Sequence, residues 1–226
     1  MCVHEMGLQQ KRIRLGMYNK LDDTSLNKLL EAGIDEFAEH GLDKTAMSAI
    51  AGRAGVSVGV IYKYFEDKDA FFLACVDHSL ELLQRAMENV MLNEDDLRKC
   101  LRKLVTDLIA AAGAHRNYYR MYHEITSGSC SKYAKELAEK IEGISAQVYF
   151  ELLQKAEANG NIDIKGDPRL FAFFFDNLLM MLQFSFSCDY YHERMKIYCG
   201  EENASDPKAI GEAFVEFAST ALGFKA

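Results

Sequence analysis

Residues Ala51 to Asp69 read AGRAGVSVGVIYKYFEDKD, and their three glycines, Gly52, Gly55 and Gly59, allow two very different structures. Closely spaced glycines either cradle a nucleotide phosphate or let two short helices turn tightly against each other. A dinucleotide loop requires a preceding strand, a helix opening at the loop and the spacing G-x-G-x-x-G. Here an amphipathic segment and a short helical one come first, the spacing differs, and no G-x-x-x-x-G-K-[ST] occurs. The helix-turn-helix reading accommodates the whole stretch. Ala51 is small where two helices must approach, and Gly55 stands where a left-handed turn residue is needed. Ile50, Ala54, Val56, Ile61 and Phe65 supply an inward face, and Ser57 is placed to cap the second helix. The outer face of that helix then carries Val58, Gly59, Tyr62 and Lys63.

The rest of the chain is helical in pattern. Leu26, Leu29, Leu30, Gly33, Phe37 and Ala38 recur at steps of three and four, one helical face, with Thr24 or Ser25 as cap and His40-Gly41 as stop. Short helices are expected over about 47–54 and 58–64, and a long one from Asp69 to about Val90. Acidic residues 93–96 begin another that ends at Gly113, and further helices cover 116–126 and 131–159. Asp167-Pro168 and Asp206-Pro207 share a start signal, an acidic cap before a proline at the first helical position. They open helices to about Tyr191 or beyond and to about Leu222. The fold class is therefore all-α, about nine helices, without a fixed-period repeat. Asp176, Asn177 and Gln183 interrupt the apolar run 170–186, which argues for a buried or subunit-packed helix and against a membrane span.

Net charge is −8, distributed as +3 over residues 1–20, −6 over 21–78 and −5 over 79–226. The acidic balance argues against strong nonspecific DNA affinity but not against a local basic edge. The six cysteines, Cys2, Cys75, Cys100, Cys130, Cys188 and Cys199, lack any C-x-x-C, and no cleavable signal sequence is present. They read as reduced, mostly buried thiols of a cytoplasmic protein.

The segment TAMSAIAGRAGVSVGVIYKYFEDKDAFFLAC resembles the signature of TetR-like (AcrR-type) transcriptional regulators. Thr45, Ile50, Ala51, Ala54, Gly55, Val56, Ser57, Tyr62, Phe65 and Lys68 stand at the family's spacing, and the likeness spans about residues 24–80. Two positions depart from the pattern: Val58 follows Ser57 where lysine is common, and Ala46 follows Thr45 where a polar residue is common. The resemblance implies three parts. Residues 1–20 form a flexible basic arm, 21–68 a three-helix helix-turn-helix domain, and 69–226 a larger helical ligand-binding and dimerisation domain. The helix Val58–Tyr64 would lie in the major groove, two heads of a homodimer reading two half-sites of a palindromic double-stranded operator. DNA contacts are then expected from Thr45, Ser57, Val58, Gly59, Val60, Tyr62, Lys63, Tyr64 and Lys68. The hydroxyls of Thr45 and Tyr62 and the Lys68 ammonium suit phosphates, Lys63 and Tyr64 suit phosphates or base edges, and Val58 and Val60 suit thymine methyls. Lys11, Arg12 and Arg14 of the arm suit a minor groove.

The expected function is a ligand-responsive repressor with an unknown small-molecule effector, no cofactor, no metal and no membrane partner. Pocket candidates in the aromatic-rich body are Tyr118, Tyr119, Tyr122, His123, Tyr149, Phe150, Phe174 and Gln183, although any one of them taken singly fits an ordinary core better. Phe173, Met180, Phe184, Phe214, Phe217 and Leu222 suit a dimer interface. Two alternatives stay open. A dimeric helical scaffold without DNA binding shares the same interface. A metal enzyme would need ligands, and only fragments are present: His123-Glu124 lacks the second histidine of H-E-x-x-H, and Cys188 with His192 lacks a third group.

Overall fold

Five helices of the computed structural model, which describes residues 21–91, 96–163 and 166–224, start at an aspartate whose carboxylate accepts a backbone N–H. These carboxylates satisfy donors that the first helical turn leaves unpaired. The described helices are α1 (Asp23–Lys44), α2 (Met47–Ala54), α3 (Val58–Tyr64), α4 (Lys68–Met91), α5 (Leu97–Ala114) and α6 (Arg116–Ile125). A 3-10 turn (Gly128–Tyr133) leads to α7 (Ala134–Ala158), α8 (Pro168–Ser187), α9 (Asp189–Ala204) and α10 (Pro207–Ala221). No strand occurs among the described residues. The basic arm and Cys2 lie outside them.

Most boundaries follow the sequence signals, with three differences. Asp22, rather than Thr24 or Ser25, caps α1, its carboxylate accepting the Ser25 N–H at 2.7 Å. Gly41 breaks the helical path at φ 74, yet one more turn follows to Lys44. The helix begun at Pro168 stops at Ser187, and α9 starts anew after the extended Cys188. Ser185 and Ser187 both turn their hydroxyls back onto carbonyls four residues earlier, Met181 and Gln183, which favours a bend. The Arg116 guanidinium takes the Ser187 carbonyl at 3.2 Å and holds the break in place.

Two apolar cores follow. The first joins α1, α2 and α3 to the start of α4, and continues through Met121, Cys130, Leu137 and Ile141. It therefore crosses the boundary expected at 68/69, and α6 lies directly on α1. Phe37, Phe71 and Phe72 are fully buried at its centre, with Phe37 edge-on to Phe72 at 5.0 Å between centroids. Gly33 makes the α1–α4 approach: a Cβ there would stand 2.6 Å from both the Cys75 sulfur and the Phe71 ring. The second core unites α5, α7, α8 and α10 around Leu104, Leu108, Leu153, Leu179 and Val215. Among the described residues, α8 alone is long and apolar enough to cross a membrane, but Ala172, Leu179, Phe184, Ser185 and Ser187 along it are buried within the protein. Cys75, Cys100 and Cys130 are buried.

Candidate nucleic-acid interface and effector cavity

Gly55 carries the turn between α2 and α3. Its φ of 73 and ψ of 31 are left-handed, and its N–H closes onto α2 at the Gly52 carbonyl, 3.3 Å. Ile50 and Ile61 are fully buried on the inner side, so α3 has one possible outward face. Tyr62 is 48% exposed there, and Lys63, Gly59 and Ser57 are also exposed. Val58 and Val60 are half-buried. Ser57 occupies the N-cap position with extended backbone, but its hydroxyl makes no cap bond, which corrects the expected capping role.

Three of the expected phosphate groups have partners within the chain. The Thr45 side chain is buried, and its hydroxyl proton is directed at the Gly41 carbonyl at 2.7 Å and the Glu36 carbonyl at 3.1 Å. It ties off the end of α1 and has no proton to offer a phosphate. Lys68 donates to the carbonyls of Asp43 and Thr45, at 3.0 and 3.3 Å, neutralising the carboxyl end of the same helix. The Tyr64 hydroxyl accepts the Leu21 N–H at 2.5 Å. These residues shape the head; the Lys68 ammonium, with two carbonyl acceptors, keeps a third N–H and its charge. Arg53, the head's single arginine, is also spent: it bridges Asp35, Glu36 and Glu39 at 3.1, 2.9 and 3.4 Å.

The body contains a cavity between α4, α6, α7 and α8. Tyr118, Tyr119, Tyr122, Tyr149 and Gln183 line it as expected, and the sequence reading missed Glu142, Asp176 and Met180. Those could have been found: Asp176, Met180 and Gln183 stand at i, i+4 and i+7 of α8, on one face. A wider groove between α7 and α8, about 520 Å³, shares Glu142, Ser145, Tyr149, Asp176 and Met180 with it, and Phe150 lies on its wall. The Tyr122 hydroxyl donates to Glu142 at 2.6 Å and lies 3.4 Å from the Met180 sulfur.

Two of the pocket candidates lie elsewhere. Phe174 is 60% exposed on the outside of α8, because it sits two residues from Asp176 and so on a different face. His123 is exposed and stacks its ring edge-on against Phe184 and Tyr191. Several interface candidates also move. Leu222 is buried in the second core, Phe184 is buried against Tyr122, His123 and Tyr191, Met180 lines the cavity, and Phe214 packs half-buried against Phe175. Phe173 and Phe217 remain outward, joined by Leu170, Phe174 and Leu178, which repeat every fourth residue along α8. The Cys188–His192 pair offers no metal centre: the His192 ring bonds the Ser185 carbonyl, and no group of three metal-binding side chains occurs among the described residues.

Burial, reinforced by Glu142, pushes the Asp176 carboxyl up to about 6. The folded state thus binds this proton more tightly than the unfolded chain. Asp176 withholds on the order of 2 kcal/mol at neutral pH, and this returns as pH falls from about 6 towards 4. Asp176→Asn is expected to raise the melting temperature at pH 7 and to leave it unchanged or lower at pH 4.5. Thermal melts of the two proteins across this range check the sign.

Residues 29–75 match the family model of bacterial regulatory proteins, tetR family. The match runs from α1 through the turn and α3 to the start of α4. Solved structures share the fold of the whole chain. A TetR-like transcriptional regulator from Rhodococcus sp. RHA1 superposes with TM-score 0.67 at 17% identity, covering 90% of this chain and 98% of that one. The fatty acid degradation regulator FadR from Bacillus halodurans gives TM-score 0.69 at 19% identity, covering 85% and 97%. FadR from Bacillus subtilis, solved in complex with stearoyl-CoA, gives 0.67 at 18%, covering 85% and 97%. No curated protein matches the sequence. The tetR-family match of the head and the shared fold support a DNA-binding transcriptional regulator.

Proposed function

We propose that this regulator is a homodimeric, ligand-responsive repressor that a small molecule releases from a palindromic operator. The observation that carries the reading is Tyr118. It lines the body's cavity, and its hydroxyl donates to Glu31 of α1, the helix that supports the head. His78 of α4 meets the same Glu31 oxygen at 3.1 Å, and Asn117 of α6 holds Asp35 of α1 at 2.8 Å. A ligand that displaces Tyr118 therefore perturbs α1 through a direct bond, and the shared core transmits the shift to α3. That is a two-state coupling between two sites. A structural neighbour's complex with stearoyl-CoA supports a ligand-holding body of this shape.

On this reading Tyr62 and Lys63 meet the operator while Val58 and Val60 face bases. The stripe Leu170, Phe174 and Leu178, with Phe173 and Phe217, is the apolar face that a second copy covers. The body from 69 onward binds ligand and dimerises, and the protein works in the cytoplasm.

Tyr118→Phe tests the coupling. It keeps the ring and removes the bond to Glu31, an interaction with a charged group worth ~1.5–3 kcal/mol. Operator affinity without ligand is expected to change at least threefold, measured by fluorescence anisotropy. An unchanged affinity together with unchanged ligand release overturns the role of Tyr118.

A further inference from the structure

We propose that Asp35 and Arg53 position the reading helix: the Asp35 carboxylate of α1 is shared between Asn117 of the body and Arg53 of the head, and so links α6 to the turn before α3. The inference rests on the reading of the chain as a ligand-responsive regulator. It deepens that reading by naming the residues that carry the state of the body to the head.

The two oxygens of this one carboxylate have different partners. Oδ1 accepts an N–H of the Asn117 amide at 2.8 Å, and Oδ2 accepts the Arg53 guanidinium at 3.1 Å. Asn117 directly precedes Tyr118, the cavity residue that donates to Glu31. Glu31 and Asp35 stand four residues apart on α1 and so share a face. Consecutive residues of α6 therefore hold neighbouring carboxylates of α1, and a displacement of Tyr118 is felt at Asn117. Of the two carboxylates, Glu31 passes the contact to His78 of α4, at 3.1 Å, and Asp35 passes it to α2.

Arg53 stands in the last turn of α2, two residues before the left-handed Gly55. Its second terminal nitrogen reaches Glu36 at 2.9 Å and Glu39 at 3.4 Å. Glu36 is 6% exposed, and a buried carboxylate stripped of its counter-charge is strongly destabilising, so Arg53 stays in the cluster. The planar guanidinium fork is thus held on one side by Asp35 and on the other by Glu36 and Glu39. An exposed pair such as Arg53–Asp35 adds little stability. Its consequence is orientation. When Asn117 withdraws, Asp35 loses the bond that fixes its side chain, the fork turns towards Glu36 and Glu39, and the last turn of α2 moves with it. The reading helix α3 follows, because the Gly55 N–H is closed onto that turn at the Gly52 carbonyl.

The test uses the full-length protein and an exchange of partners. Asn117→Asp sets two carboxylates against each other and breaks the link; Asn117→Ala, which adds no charge, is the second variant should the first fold poorly. In the double variant Asn117→Asp with Asp35→Asn, donor and acceptor trade places and net charge is unchanged. The Asp35→Asn amide then donates to the Asn117→Asp carboxylate, while its carbonyl oxygen still accepts Arg53. Amide hydrogen exchange is measured first, with no DNA present. Asn117→Asp is expected to speed exchange across residues 47–64 at least fivefold, and the double variant to return within twofold of wild type. Operator affinity, read by fluorescence anisotropy, is expected to fall at least threefold in Asn117→Asp and to recover in the double variant. In an Arg53→Lys background, which keeps the counter-charge of Glu36 but loses the fork, Asn117→Asp is expected to have no further effect on affinity. A merely structural contact would lower the melting temperature and leave affinity unmoved. Unchanged exchange in both Asn117 variants, no recovery in the double variant, or a full effect in the Arg53→Lys background overturns the proposal. Exchange that rises and recovers as expected in a wild-type protein that binds no operator upholds the link and contradicts the repressor, so the two readings fail separately.

Discussion

Phe37→Ala is expected to destabilise the protein by ~3–5 kcal/mol, the range for emptying a buried phenylalanine site. Phe37 is fully buried between α1 and α4, in ring contact with both Phe71 and Phe72, at 6.1 and 5.0 Å. Phe71 in turn meets Phe65 at 4.8 Å, directly after α3. The cavity left behind therefore opens at the junction of head and body. At ~2–4 °C per kcal/mol for a chain of this size, the melting temperature falls by roughly 10 °C. A single cooperative transition shifted by this amount is the outcome expected of a core that runs through both parts. Separate transitions for head and body, with only the first shifted, would show two independent units. Calorimetric melting distinguishes them.

Tyr62→Ala produces the largest effect on function with little effect on the fold. Nearly half of this side chain is exposed, and its hydroxyl has no partner within the described chain. Surface truncations of this kind usually change stability by less than ~0.5 kcal/mol. A hydrogen bond to a phosphate is worth ~1.5–3 kcal/mol. Two heads acting on one operator double the loss, so affinity is expected to fall about a hundredfold or more. Sedimentation of the variant should still give the wild-type oligomer. A variant that dimerises and binds the operator normally would overturn the role of Tyr62, whereas a wild-type dimer that binds no operator would favour the scaffold reading.

The head was legible because its chemistry is local. Gly55 must turn left-handed, Ile50 and Ile61 must point inward, and these needs fix α2 and α3 to the residue. What was not legible is which polar groups face out. Thr45 and Lys68 have the right chemistry for phosphates, but the exposed end of α1 has stronger claims on both. Nothing local marks such a choice, because it depends on carbonyls brought near by the turn at Gly41. The body was harder to read for the same reason. Periodicity locates α8, yet Phe174 and Phe184 differ in burial only through what packs against each face. The aromatic composition suggested a pocket, while its acidic members, Glu142 and Asp176, come from helices that meet only in the folded chain.

The head's charge also sharpens the account of affinity. With Arg53 paired to three carboxylates and the head acidic overall, binding is expected to depend on fit more than on charge. The most direct test is an anisotropy titration of the intact protein with two labelled duplexes. One carries the palindrome nearest its own gene, the other the same bases shuffled. The account predicts saturation at two chains per palindrome, affinity at least a hundredfold above the shuffled duplex, and a shallow dependence on salt. Equal affinity for both duplexes, or no binding to either at low salt, would contradict it.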